Sequence, residues 1–498
     1  MTSLPLDAPA PAISQPLPKL VLAGAVAFLG DRLFYDHPLG ISLVLFLALI
    51  GIAALVTGWH RIRARDLTAA LVLLIVGLAP LIETVGFVSV ILGIVGLALS
   101  VAVLTGGLNR RAGAIVAAAS GILLTGPFDL PPDVYRVARR AVSAGRAPRV
   151  ATLIGWGVPI ALCVVFAGLF SAANPLIEGW ISGIPWSAPI PNFDLPRILS
   201  WLMLLAIVWA FVAPRAGGRS KLAGDADSHA AEMTVAVAPP VLLRPSMVLR
   251  CLVLFNLLFA VQSATDVVYL WAGFALPSGV THAAYAHRGA YALVATALLA
   301  AAFVLAALRS GGVGERSPLI RALVCVWIGQ NVLLVASAMR RLDLYVEAYG
   351  LSILRLAALI WMALVAVGLA LILARIALRR SNAWLVRANL LALAATLYAC
   401  AFVNFAGTVA DYNAERWSRT GQAFDFVYAM SLDAEAIPAV DRVLADYDGP
   451  QTEYARWWRG WHARDLRERM RDWRAWTFRD QRLLNYLGAH PDAPSRAR

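Results

Sequence analysis

Apolar residues in this chain fall in long unbroken runs. They show neither the alternation of half-buried strands nor the three-to-four spacing of surface helices. The runs cover 18–35, 41–59, 67–84, 87–107, 151–171, 197–213, 248–274, 289–308, 319–339, 352–377 and 386–405, with charged clusters between them. At about 1.5 Å per residue, roughly 20 apolar residues cross the 30 Å hydrocarbon core of a bilayer. The pattern predicts an all-α, polytopic transmembrane helical bundle of about 11 crossings. A further segment, 113–128, holds the run GAIVAAASGILLT and is too short to span.

Charge places that segment. Arginine and lysine stay on the cytoplasmic side. Arg61, Arg63 and Arg65, then Arg110 and Arg111, then Arg136, Arg139, Arg140, Arg146 and Arg149 all belong inside. Those demands agree if 113–128 enters and leaves by one face, as a re-entrant or interfacial segment. The alternation that follows puts the N-terminus in the cytoplasm and the C-terminus outside. Arg340 and Arg341 strain the scheme, because it places them in an outer connector, 340–351. The expected organisation is a flexible Pro-rich start (1–17), a transmembrane domain (18–405) with a polar cytoplasmic linker (215–245), and an extramembrane helical tail (406–498).

Composition agrees with this class. Of 498 residues, 60% are hydrophobic and 15% charged, against about 25% charged in soluble domains. The net charge of +13 sits mainly in short loops between apolar runs. That distribution marks topogenic charge rather than nucleic-acid binding. Cys163, Cys251, Cys325 and Cys400 each lie in a predicted span, without metal-ligand spacing. In the tail, Trp458, Trp461, Leu466, Met470, Trp473, Trp476 and Leu484 recur near helical spacing. They suggest an amphipathic helix, lying at the lipid interface or packed on the rest of the tail.

The informative residues are polar ones inside apolar runs. Asp266 lies roughly 10 Å below the predicted outer interface, where a carboxylate costs about 2.5–3.5 kcal/mol on insertion scales. Gln262 precedes it by four residues and shares its helix face. Tyr285, His287 and Arg288 open the next span, and Arg288 has the reach to pair with Asp266. The bland reading is an ion pair fastening two helices. The functional reading adds Asp31, Arg32, Asn174 and Glu347, which the topology brings to the same outer face as a polar binding site. No P-loop, HExxH, GxSxG or Cys/His metal spacing is present, so the sequence indicates no cofactor and no metal.

DRLFYDHPLGISLVLF, FSAANPLIEGW, DVVYLWAGFALPSGVTHAAYAHRGAYALV, RLDLYVEAYGLSILRLAALIWMA and YNAERW…GQAFDFVYAMSLDAEAIPAV together resemble a bacterial multi-pass inner-membrane family, a domain of unknown function. The resemblance runs to about residue 440, and an Arg/Trp-rich extension after about 450 departs from it. It implies a bacterial envelope protein and no particular chemistry. Two functions fit. One is transport or envelope regulation through the outward-facing polar site, taking a small molecule or ion. The other is a membrane-embedded transferase on a lipid-linked substrate, with Asp31 or Asp36 as base. A non-catalytic scaffold is the blander alternative, and the reading leans away from an enzyme. The bilayer is the expected partner, and nucleic acid is not.

Overall fold

The computed structural model describes residues 16–58, 63–143, 195–215, 245–272 and 317–491. Their regular structure is helical throughout. In lipid, backbone amides and carbonyls find partners only within the chain, so long apolar runs close into helices. Eight helical stretches among the described residues are long and apolar enough to cross a membrane. The predicted spans at 151–171 and 289–308 lie outside the described residues. The chain divides into two compact units, one of residues 1–225 with 467–482 and one of residues 226–466 with 483–498. The tail is therefore shared between them.

The first unit contains α1 (Pro16–Phe34), α2 (Ile41–Gly58), α3 (Ala64–Glu83), α4 (Phe87–Gly106), α5 (Ala112–Thr125), α6 (Leu130–Ser143) and α7 (Leu195–Val212). Its core joins Val26 and Ala27 of α1, Phe46 and Ile50 of α2, Leu97 and Val101 of α4, and Val208 and Trp209 of α7. Without a hydrophobic force between helices in lipid, close approach needs small residues. Helices α3 and α4 cross at Gly77 and Gly96, where a Cβ added at Gly96 would lie 2.6 Å from the Gly77 Cα.

Contacts within this unit show where the 113–128 segment goes. Helix α7 runs from Arg197, beside Asp31 near the C-terminus of α1, to Val212, whose carbonyl accepts from Thr57 at the far end of α2. Arg65 and Asn109 meet at that far end, and α5 starts there. The segment's other end returns to it. Gly126 packs on Ala210, Trp209 Nε1 donates to Asp133 at 3.1 Å, and Arg215 pairs with Asp129 and Asp133. The turn after α5 thus meets the C-terminal end of α7, and the stretch 112–137 that contains it is itself one of the eight long and apolar enough to cross.

The opposite end of this unit carries a strap from the tail. The backbone N–H of Ile41, first residue of α2, donates to the Trp476 carbonyl at 2.8 Å. His37 Nδ1 meets Asp472 at 2.9 Å. Glu83, buried at the end of α3, receives Arg479 at 3.3 Å together with Arg482.

The second unit contains α8 (Pro245–Asp266), α9 (Pro318–Tyr349), α10 (Ile353–Ala377), α11 (Asn382–Cys400), α12 (Phe405–Thr420), α13 (Phe426–Met430), α14 (Ile437–Asp446) and α15 (Thr452–Arg469), whose final residues enter the first unit. The last helix, α16 (Phe478–Ala489), begins in the first unit and ends in the second. Side-chain oxygens start at least five of these helices, Asp425 opening α13 by accepting from Tyr428 N at 2.9 Å. Ser317, Ser352, Ser381 and Asn404 each accept an N–H three residues on, opening α9, α10, α11 and α12. Helix α9 runs 32 residues, about 48 Å, so the expected connector at 340–351 is largely helix. Its arginines are also balanced by acids, Arg341 by Asp266 and Arg340 by Asp343.

The tail departs from one continuous amphipathic face. Helix α15 stops at Arg469, and a 3₁₀ turn at Trp473–Ala475 interrupts the periodicity. Trp458 and Leu466 are buried, whereas Trp461 and Trp473 are exposed. The centre of the tail's polar core is Asp441, whose carboxylate pairs with Arg459 Nε at 2.7 Å, both buried. Tyr486 donates to the other oxygen at 3.2 Å, and Arg459 also donates to the His490 carbonyl at 2.6 Å.

Candidate functional site

The seam between α8 and α9 repeats as four-three-four-three. On α8 it runs Leu252, Asn256, Phe259, Ser263 and Asp266. On α9 it runs Ile320, Val324, Trp327, Asn331, Leu334, Ala338 and Arg341. This is the knobs-into-holes spacing of paired helices. Phe255 and Phe259 pack on Trp327, with ring centroids 5.3 and 5.8 Å away. The helices run parallel. Asn256 donates to the Leu323 carbonyl near their starts, and Asp266 meets Arg341 near their ends.

Polar side chains interrupt that apolar seam. Asp266 is 0% exposed and Arg341 5%. Gln262 Nε2 donates to Asp266 Oδ1 at 3.1 Å, and Arg341 Nη2 donates to the same oxygen. Asn256, Ser263, Asn331 and Ser337 are buried along the same interface. Among the described residues, Asn256 Oδ1, Ser263 Oγ and Asn331 Oδ1 meet no hydrogen-bond donor. Directly after Asp266 the helix widens into a π turn, Val267–Trp271, and Trp271 Nε1 donates to Ser337 Oγ at 3.2 Å. Single π turns inside helices concentrate at functional sites.

The expected partner of Asp266 was Arg288, which with Tyr285, His287 and Asn174 lies outside the described residues. Among the described residues, Arg341 holds the carboxylate, from 75 positions along the chain. Its place in line with Ile320, Val324 and Trp327 at seam spacing was the signal that the sequence offered.

The remaining candidates fall in other places. Asp31 is 3% exposed and forms a two-point pair with Arg197, at 2.7 and 3.2 Å. The Arg197 guanidinium also covers the Tyr35 ring at 4.7 Å. Both oxygens of the carboxylate that a transferase would use as base are thus engaged. Arg32 is exposed, with its guanidinium 5.3 Å over Phe28. Glu347 is exposed beside Arg340, at 4.0 Å. Among the described residues no group of three His, Cys, Asp or Glu side chains could hold a metal.

Two stretches singled out in the sequence meet in a clamp within the second unit. Asn413 of YNAERW bonds both the N–H and the carbonyl of Leu351, at 2.8 and 2.9 Å. Arg416 donates to the carbonyls of Glu347 and Ala348 at 3.0 and 2.8 Å. Arg355 donates to those of Tyr349 and Gly350. These cations satisfy carbonyls that the C-terminus of α9 leaves open, and they suit its dipole. Ile353 N donates to the Tyr428 hydroxyl at 2.9 Å. Gly350 has φ +79°, and a Cβ there would lie 2.8 Å from Asn413 Oδ1. Gly350→Val is expected to cost about 2–4 kcal/mol, from backbone strain and lost clamp bonds. Limited proteolysis should then cut the tail after residue 404 faster. An unchanged cleavage rate would mean that the clamp does not hold the tail.

Residues 20–443 match the family described as a domain of unknown function, DUF4153. No curated protein and no solved structure matches the chain.

Proposed function

The chain belongs to the DUF4153 family, and we propose that it is an inner-membrane transport or envelope-regulatory protein worked by its Asp266–Arg341 seam. The observation that carries this reading is a fully buried carboxylate, paired with arginine across two parallel helices and set against a π turn. A fastening alone does not call for charge. Well-packed apolar side chains join helices as well as a buried ion pair or better. A charge pair adds an equilibrium that can be displaced. A charged solute that competes for Asp266 or Arg341 weakens the pair and loosens α8 from α9 at the turn. Ionisable groups inside spans commonly mark such ion or solute paths. The arginine-bearing end of the first unit faces the cytoplasm in this reading, and the strap faces outward.

The test uses purified protein in liposomes loaded with a pH-sensitive dye, under an imposed potential. Asp266→Asn should abolish proton-coupled flux or the response to a charged solute. The double variant Asp266→Leu with Arg341→Leu separates function from fastening. It should stay folded, with a melting temperature close to the parent's, and be inactive. Full activity in that variant would reduce the pair to a fastening and overturn the proposal.

A further inference from the structure

We infer that the Arg/Trp-rich tail is a docking surface for an anionic phospholipid leaflet. Helix α15 has two faces. Thr452, Ala455, Trp458, Arg459, Ala463 and Leu466 are buried. On the other side Tyr454, Trp457 and Trp461 form a stripe spaced by three and four residues. They are 58%, 58% and 49% exposed, and the first two rings stack at 5.6 Å. Tyr and Trp, with an apolar body and a polar tip, favour the boundary between headgroups and acyl chains. Around the stripe, Arg464, Arg467, Arg469 and Arg471 are exposed. Apart from the buried Arg459, residues 452–471 carry five arginines against the acids Glu453, Asp465 and Glu468, with Arg469 also paired to Asp480. That excess of positive charge complements phosphate headgroups and adds to apolar insertion.

The chain that follows this helix forms the strap. Just beyond α15, Asp472, Trp476, Arg479 and Arg482 are bonded to His37, Ile41 and Glu83, at the ends of membrane-length helices α2 and α3. Trp473 and Phe478, on either side of Trp476, are 52% and 46% exposed. Arg474 and Arg482 lie over those two rings, 5.2 and 4.9 Å from their centroids. Trp461 is about 12 Å along the helix from Arg469. A second attachment repeats the pattern in the other unit. Val427, 73% exposed, adjoins Tyr428, whose hydroxyl accepts from the first residue of α10. In each unit, exposed apolar side chains of the tail thus adjoin the point where it is tied to a helix end. This inference is independent of the Asp266–Arg341 reading.

The experiment places a nitroxide on full-length protein with Cys163, Cys251, Cys325 and Cys400 replaced by alanine. One label goes at Trp457→Cys and another at Trp461→Cys, in liposomes of phosphatidylcholine with and without phosphatidylglycerol. Collisions with oxygen, which partitions into lipid, are compared with collisions with a water-soluble nickel chelate. Both labels should favour oxygen several-fold over a nitroxide in water, and more so with phosphatidylglycerol. Equal accessibility to the chelate at both labels would overturn the inference. So would spin–spin broadening between labels that vanishes on dilution with unlabelled protein, since a second copy of the chain would then cover the stripe.

Discussion

Gly96→Leu is expected to leave little folded protein. The α3–α4 crossing has room for hydrogen only, with Gly77 Cα and the Leu73 carbonyl 2.6 and 3.0 Å from where a Cβ would stand. Gly93 is confined by the side chains of Leu81 and Leu47. A leucine at Gly96 must separate two helix backbones, and overpacking of this kind costs about 1–3 kcal/mol and sometimes more. Backbone cannot rotate aside as a side chain can, so the upper end of that range applies. Gly121→Ala is the control, because nothing lies within 4 Å of its would-be Cβ. Alanine in a helix interior should there be neutral or stabilise by about 0.5–1 kcal/mol. Melting temperatures of the two variants in detergent, followed by tryptophan fluorescence, decide the matter. Equal values would mean that the helices do not pack as described.

Arg459→Met should cost the tail about 3–5 kcal/mol, because it strands the buried Asp441 carboxylate without its cation. Arg459→Met combined with Asp441→Leu should recover much of that loss, since the pair goes as a unit. The near-UV circular dichroism of the tail tryptophans, followed through urea denaturation, reports both. A loss in the double variant equal to the single one would show that Arg459 acts by packing instead of charge. The same node gives a pH signature. Burial, then the neighbouring Asp441, push the Tyr486 hydroxyl above its ordinary range. Its contribution is complete below about pH 10 and declines as pH rises beyond that, because the unfolded state ionises first. Tyr486→Phe should flatten that alkaline decline.

Unbroken apolar runs made the helices legible in the sequence, since a run long enough to span leaves its backbone no other structure in lipid. Helix ends were less legible. Nothing in RRLDLYVEAYG announces that α9 continues to Tyr349, because charged residues read as a connector until their partners are known. The residue Asp266 was found from its cost in an apolar span, and Gln262 from four-residue spacing. Arg341 as partner was not found, because pairing across 75 residues depends on which helices become neighbours. Asn413, Arg416 and Gly350 stood out as motif residues, yet their joint role rests on a turn that only the fold brings to α12. In the tail, tryptophan periodicity indicated helix, but it ran through the break after Arg469 and did not separate the buried Trp458 from the exposed Trp461.

The strap has a consequence for how the protein is made. Arg479 and Glu83 are 396 positions apart, so the carboxylate that closes α3 waits until residue 479 has been made. At about 5–20 residues per second that interval is roughly 20–80 s. During it the early helices sit in the membrane with their outer rim unfinished. A message cut short anywhere after the final span would give a product with every crossing and no seal on its first bundle. Such a product would present Glu83 to any protease that inspects unfinished membrane proteins. Synthesis of the tail is thereby written into the folded state of helices made long before it.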